Sequence, residues 1–139
     1  MPISEAAPAL QQFWAALQLE EPPFPVLYYA LGDAYRGQAD QEQAKAEGKS
    51  NAGWTESPHN YRPARAIDIY PIIPTDRGPE VSNDPAHYQQ IRDLAGEMFL
   101  VSGCNFQGFQ DCPHVELPNW RSYQPKKKAQ RPYLLALSC

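Results

Sequence analysis

Near the start of the chain, apolar side chains recur at Leu10, Phe13, Trp14 and Leu17, the i, i+3, i+4, i+7 spacing of one helix face. This pattern predicts a helix from about Ser4 with one stripe packed inward. The run Glu20-Glu21-Pro22-Pro23-Phe24-Pro25 ends it, because proline cannot continue a helix. Residues 26–31 are apolar and aromatic enough for a strand. Residues 38–47 are rich in helix formers and run into Gly48, a residue that commonly closes a helix. Residues 49–61 read as a loop. Alternation returns over residues 64–70, where Ala66, Asp68 and Tyr70 take one face and Ile67 and Ile69 the other, as in a strand. Asp84 then reads as an N-cap and Pro85 as the first helical residue, with Ile91, Leu94, Ala95 and Met98 as the buried face. Between residues 99 and 117, Gly103 and Gly108 separate apolar pieces, which predicts a hairpin or a strand, loop and strand. On the second limb alternation groups His114 with Glu116, opposite Pro113 and Val115.

Strands and helices mix here without a regular βαβ order, which predicts the α+β class. A chain of 139 residues, 42% apolar, is long enough for one domain with a real core and too short for two. The expected division is a packing helix in residues 1–20, a core over about 27–117 and a C-terminal segment 118–139. Fifteen prolines argue for short elements and against a long helical bundle. The net charge of −4 gives no support to nucleic-acid binding, whose footprint is a basic face. The sole basic run, Lys126-Lys127-Lys128, reads as a solvated loop. No stretch of about 18 apolar residues is present, so no membrane insertion is expected. The amino-terminal segment lacks the basic start and apolar run of a secretory signal, so synthesis in the cytoplasm is the expectation, and the chain is expected to be a monomer.

Two separated segments concentrate the chemistry. Ser57 to Asp68 carries His59 and Asp68, and Asp111-Cys112-Pro113-His114-Val115-Glu116 carries another histidine and further acids. Two imidazoles and a carboxylate could hold one zinc as a catalytic site does, with the fourth position left to water. Asp111, three residues before His114, could stay near the metal without binding it and move the proton. Three ligands and one spare acid point to a hydrolase. Other readings stand beside this one. Cys104, Cys112 and His114 could form a rival metal site, but no Cys-x-x-Cys pair is present. The three cysteines are expected to be free thiols, with a Cys104–Cys112 pair as the alternative in an oxidising medium. His87 reads as a surface histidine with no acidic partner at ligand spacing. Arg36 could make a surface ion pair with Asp40, Glu42 or Glu47.

These residues also form a family pattern. Ser57-Pro58-His59, Ala66-Ile67-Asp68 and Asp111-Cys112-Pro113-His114 match Ser-x-His, Ala-x-Asp and acid-x-x-His, and Tyr35-Arg36, Gln41 and Gly48 precede them in order. Over about residues 27–117 the chain resembles the zinc peptidases of the D-alanyl-D-alanine carboxypeptidase and L-alanyl-D-glutamate endopeptidase group, many of them bacteriophage endolysins. It departs at Arg62-Pro63-Ala64-Arg65, where many members have an early Gly and a shorter run to the Asp. The base is Asp rather than the Glu of the dipeptidase members, which leans toward the endopeptidase branch.

The resemblance implies a hedgehog/DD-peptidase-like fold with a mainly antiparallel sheet and flanking helices. It implies one Zn2+ on His59, Asp68 and His114, with Asp111 as general base and Arg36 binding or polarising substrate near the scissile carbonyl. Gln41 could hydrogen-bond near the substrate or Arg36, and Ser57 could bond backbone in the turn before His59. Glu116 is either a partner that orients a ligand histidine or an exposed strand residue. The implied substrate is the stem peptide of peptidoglycan, cut between L-Ala and D-Glu or, as second choice, at D-Ala-D-Ala. An endolysin would reach the wall after release by another factor such as a phage holin. The rivals are a dipeptidase acting on free D-Ala-D-Ala and a non-enzymatic phage structural or binding module that retains the fold.

Overall fold

The computed structural model describes residues 2–125, so Lys126-Lys127-Lys128 and Cys139 lie outside the described residues. After a short 3-10 turn at Ile3–Glu5, helix α1 runs over Pro8–Leu19, with Pro8 in its first turn and Leu10, Phe13 and Leu17 buried. Proline suits that position because the first amides of a helix have no intrahelical partner. Trp14, at the edge of the stripe, is only partly buried. Strand β1 is Tyr28–Leu31, shorter than the apolar run, because the Val26 amide turns back to the Pro23 carbonyl at 2.8 Å. Helix α2 spans Gln38–Ala46, and Gly48 follows at a φ of +76°.

Strand β2 covers Ala66–Thr75 and continues past Tyr70 through Pro71 and Pro74. The prolines hid this extension, since proline inside a run argues against a strand. The Pro71 carbonyl still accepts from Ser82 at 2.9 Å. Strand β3, Gly78–Val81, pairs back on the second half of β2; its sequence carries no apolar alternation that would have announced it. Asp84 caps the following segment as expected, accepting from the Ala86 amide at 2.9 Å. The first turn, Pro85–Tyr88, is 3-10, and helix α3 proper is Gln89–Glu97, burying Ile91, Leu94 and Ala95. Strands β4, Val101–Ser102, and β5, His114–Glu116, are the two limbs expected near the C-terminal end.

The sheet is antiparallel throughout, in the order β1-β2-β5-β4, with β3 also on β2. This is the α+β architecture expected. Ile67, Ile69 and Val115 have no exposed surface and join Leu10, Phe13, Leu17, Ile91 and Ala95 in the hydrophobic core. The opposite face of β2 and β5 carries Asp68, Tyr70, His114 and Glu116. Burying each large apolar side chain stabilises the fold by about 1.5–3 kcal/mol. A one-residue slip of β2 would exchange Asp68 with an isoleucine, so core packing and placement of the polar face are fixed by one register. Among the described residues, no helix is long and apolar enough to cross a membrane.

His87 is not simply at the surface. Its ring is partly buried, with Nδ1 2.6 Å from Ser82 Oγ and Nε2 3.9 Å from Asp84 Oδ2. The 3-10 turn folds it back toward the residues just before it.

Candidate metal centre

Asp68 sits at the middle of the sheet, directly opposite His114 across the β2–β5 ladder. On its other side the Asp68 amide donates to the Asp33 carbonyl at 2.9 Å, and the Gly32 amide donates to the Asp68 carbonyl at 2.8 Å. His59 enters from a 3-10 turn, Pro58–Asn60. Ser57 Oγ accepts from the His59 amide at 3.2 Å, and Asn60 Oδ1 accepts from the Ser57 amide at 3.2 Å, a reciprocal capping arrangement that settles the turn. The His59 carbonyl accepts from the Arg36 amide at 2.7 Å, which ties this turn to the segment after β1.

Each histidine has one nitrogen committed elsewhere. His59 Nδ1 lies 2.8 Å from the Ala34 carbonyl, and His114 Nε2 lies 2.7 Å from Glu116 Oε1. Carbonyl and carboxylate oxygens only accept, so these nitrogens carry the protons. That leaves His59 Nε2 and His114 Nδ1 facing Asp68 Oδ1, at 3.4 and 3.6 Å. His59 Nε2 is buried without a hydrogen-bond partner, an unusual state for a polar atom. The three donor atoms lie within 4.8 Å of one another on buried residues. A tetrahedral zinc with bonds of about 2.0–2.2 Å sets its donors roughly 3.4 Å apart. The His59-Asp68-His114 group could therefore hold a metal ion.

The electrostatics follow from this crowding. Burial works against the Asp68 carboxylate, but the two imidazoles beside it outweigh burial and hold the group well below the usual carboxylate range. For His114, burial works against the charged form, yet the bonds to Asp68 and Glu116 push it up to about 9. Asp111 is pushed up, first by burial and then by the charge on Asp68. Its Oδ2 is 3.9 Å from His114 Nδ1, so it stands at the rim of the donor set. All of them line a cleft of about 420 Å³.

Arg36 does not pair with the acids of α2. Its Nε and Nη2 lie 3.0 Å from Asp33 Oδ2, Nη1 donates to Gln41 Oε1 at 2.9 Å, and Nη2 is 3.5 Å from Asp68 Oδ2. Gln41, fully buried, also donates to Ser50 Oγ at 3.1 Å and to the Ala52 carbonyl at 2.7 Å, and accepts from Asn60 Nδ2 at 3.1 Å. It joins α2, the cleft loop and the His59 turn.

Cys104 and Cys112 form a disulfide, which corrects the expectation of free thiols. Both are buried in the core, where packing joins the pair that the sequence offered as the alternative. Phe106, Phe109 and Asp111, which line the cleft, all belong to the loop that this bond closes. Asp111 is held at its end: its amide donates to the Gly103 carbonyl at 2.9 Å, and its carbonyl accepts from the His114 amide at 3.1 Å. A side chain at Gly103 would collide with the Asp111 carbonyl, so only glycine allows that approach. A bridge across residues eight apart stabilises the fold by about 2–3 kcal/mol through loop closure. Cys104→Ser is expected to lose about that much in urea unfolding while keeping its metal affinity; loss of metal would instead give the cysteines a role in the donor set.

Every site residue read from the sequence lies at or beside this cleft. The reading missed Asp33, whose i, i+3 spacing from Arg36 was a usable signal, and Asn60, whose spacing from Ser57 fits a capping pair. It also missed Tyr70, visible only as sharing a face with Asp68. The Ala34 carbonyl carries no sequence signal.

No protein-family model matches the chain, and no curated protein matches it. Among solved structures, the L-Ala D-Glu endopeptidase ChiX of Serratia marcescens is similar in fold, with a TM-score of 0.57 and 21% identity over 84% of this chain and 83% of that one.

Proposed function

We propose that this protein is a zinc-dependent peptidase that cuts the stem peptide of bacterial peptidoglycan, with the bond between L-Ala and D-Glu as its target. The observation that carries this reading is the buried donor set of His59 Nε2, Asp68 Oδ1 and His114 Nδ1, with an unbound acid, Asp111, next to it. The fold shared with an L-Ala D-Glu endopeptidase supports the choice of substrate. His59, Asp68 and His114 would hold the ion. When bound, zinc supplies Lewis acidity for water activation and carbonyl polarisation.

The protein residues do the rest. Asp111 takes a proton from the attacking water and gives it to the leaving amine; its raised carboxyl suits a group that must do both. Ala34 and Glu116 keep the free nitrogen of each imidazole turned inward. Arg36 holds the second oxygen of Asp68 and places positive charge on the cleft wall, where it favours a substrate carboxylate or carbonyl. Gln41 and Ser57 hold Arg36 and the His59 turn in place. In this reading the protein is a monomeric lysis enzyme of the endolysin kind, acting on the wall after release. The disulfide fits work outside the reducing cytoplasm.

The complete set of donors, acid and arginine favours an enzyme over a binding module that has kept only the fold. Glu116→Gln is expected to weaken zinc affinity by about 10–100-fold, read by competition with a chromophoric chelator; unchanged affinity would make Glu116 an ordinary strand residue. The function itself is tested by mass spectrometry of fragments released from purified Gram-negative sacculi, with and without chelator. Release at the L-Ala to D-Glu bond only in the zinc-loaded sample is the expected result. Loss of terminal D-Ala would mean a carboxypeptidase, cleavage of free D-Ala-D-Ala alone a dipeptidase, and no release a non-enzymatic module.

A further inference from the structure

Peptide hydrolysis accumulates negative charge on the carbonyl oxygen under attack, and a donor already aimed at that position is worth more in a cleft than in water. Few donors here remain free for it. Arg36 spends Nε and Nη2 on Asp33 and a hydrogen of Nη1 on Gln41, with Nη2 also facing Asp68. The Lys49 ammonium pairs with Glu47 at 3.1 Å on the exposed rim.

Tyr70 differs. It follows Asp68 by two residues on β2, so both side chains leave the same face of the sheet. Its ring lies against Gly32, where any Cβ would collide with it, so the glycine makes room for the ring beside Asp68. Tyr70 lines the metal cleft together with Asp68 and Asp111, and it also lines a smaller adjoining cavity that Asp111 shares. The hydroxyls of Tyr29, Tyr61 and Tyr88 donate to Gln90 Oε1, the Thr55 carbonyl and the Ser82 carbonyl respectively. No such bond holds the Tyr70 hydroxyl among the described residues.

We propose that the Tyr70 hydroxyl donates a hydrogen bond to the scissile carbonyl oxygen of the substrate and stabilises the charge that develops there. In this role the phenol acts only as a hydrogen-bond donor and forms no covalent bond. This inference rests on the peptidase reading of the site.

The test compares wild type with Tyr70→Phe, which removes one oxygen and keeps the ring that packs on Gly32. The substrate is the stem tripeptide, and the readouts are kcat, KM, zinc content, melting temperature and the affinity of a phosphinate analogue of L-Ala-D-Glu. The expected result is a fall in kcat of about 10²–10³-fold, with KM, zinc content and melting temperature nearly unchanged. The phosphinate, whose oxygen occupies the place of the developing charge, is expected to weaken by a similar factor. A variant with undiminished kcat and phosphinate affinity would overturn the assignment, as would one that loses zinc or stability in proportion to activity. A wild-type protein that cleaves no stem peptide would instead overturn the peptidase reading, and this inference with it.

Discussion

Asp111→Asn is expected to lower turnover by about 10²–10⁴-fold, the usual contribution of a positioned acid or base, while zinc stays at one per chain. Asparagine has the shape of the carboxyl and leaves the backbone bonds to Gly103 and His114 intact. The loop, the disulfide and the donor set should therefore survive, and only the capacity to take and return a proton is lost. Metal analysis beside a peptidoglycan digestion separates the two effects. The neighbouring acids are poor substitutes, since Glu116 is bonded to His114 and Asp33 to Arg36. If the variant kept full activity, the proton would be handled elsewhere and the mechanism proposed above would be wrong.

His59→Ala and His114→Ala are each expected to abolish both zinc binding and activity, because either removes one of three protein donors. Chelation should do the same reversibly. Zinc at a hundred times its Kd stabilises a protein by about 2.7 kcal/mol, which for a chain of this size corresponds to a melting shift on the order of 10 °C. A chelator that left both melting temperature and activity unchanged would remove the metal from the account.

The same donor set gives this prediction a pH dependence. In the metal-free protein the His114 value is raised from 6.5 to about 9, so its contribution to stability is present below pH 6.5 and lost as pH rises through about 9. Asp68 is depressed from 3.8, so its contribution is present above pH 3.8 and lost in strong acid. The chelated protein is thus expected to be best stabilised by this cluster between pH 3.8 and 6.5 and to lose melting temperature toward pH 9. Zinc binding must displace the His114 proton and is expected to tighten as pH rises over that range. The zinc-loaded protein should therefore hold its melting temperature where the chelated one declines.

Much of the frame was legible in the chain. The stripe of Leu10, Phe13 and Leu17 specified α1, and the alternation of Ile67 and Ile69 with Asp68 specified which face of β2 meets the core, because burial selects a period that local sequence displays. Asp84-Pro85 marked the start of a helical segment through capping chemistry. Where the signal was confused, the reading stopped short: Pro71 and Pro74 concealed half of β2, and β3 has too little apolar content to show a period.

For the candidate site, the sequence by itself determined the residue types and the face of the sheet on which Asp68, His114 and Glu116 stand. Tertiary structure decided the rest. It brought His59 to Asp68 from a separate turn and turned its free nitrogen inward through the Ala34 carbonyl. It gave Arg36 to Asp33 and Gln41 rather than to the acids of α2, and it closed Cys104 on Cys112. The physical reason is that alternation and capping are properties of a few consecutive residues. Which nitrogen of a histidine is free, or which carboxylate reaches a guanidinium, depends on groups that meet only after the chain has packed.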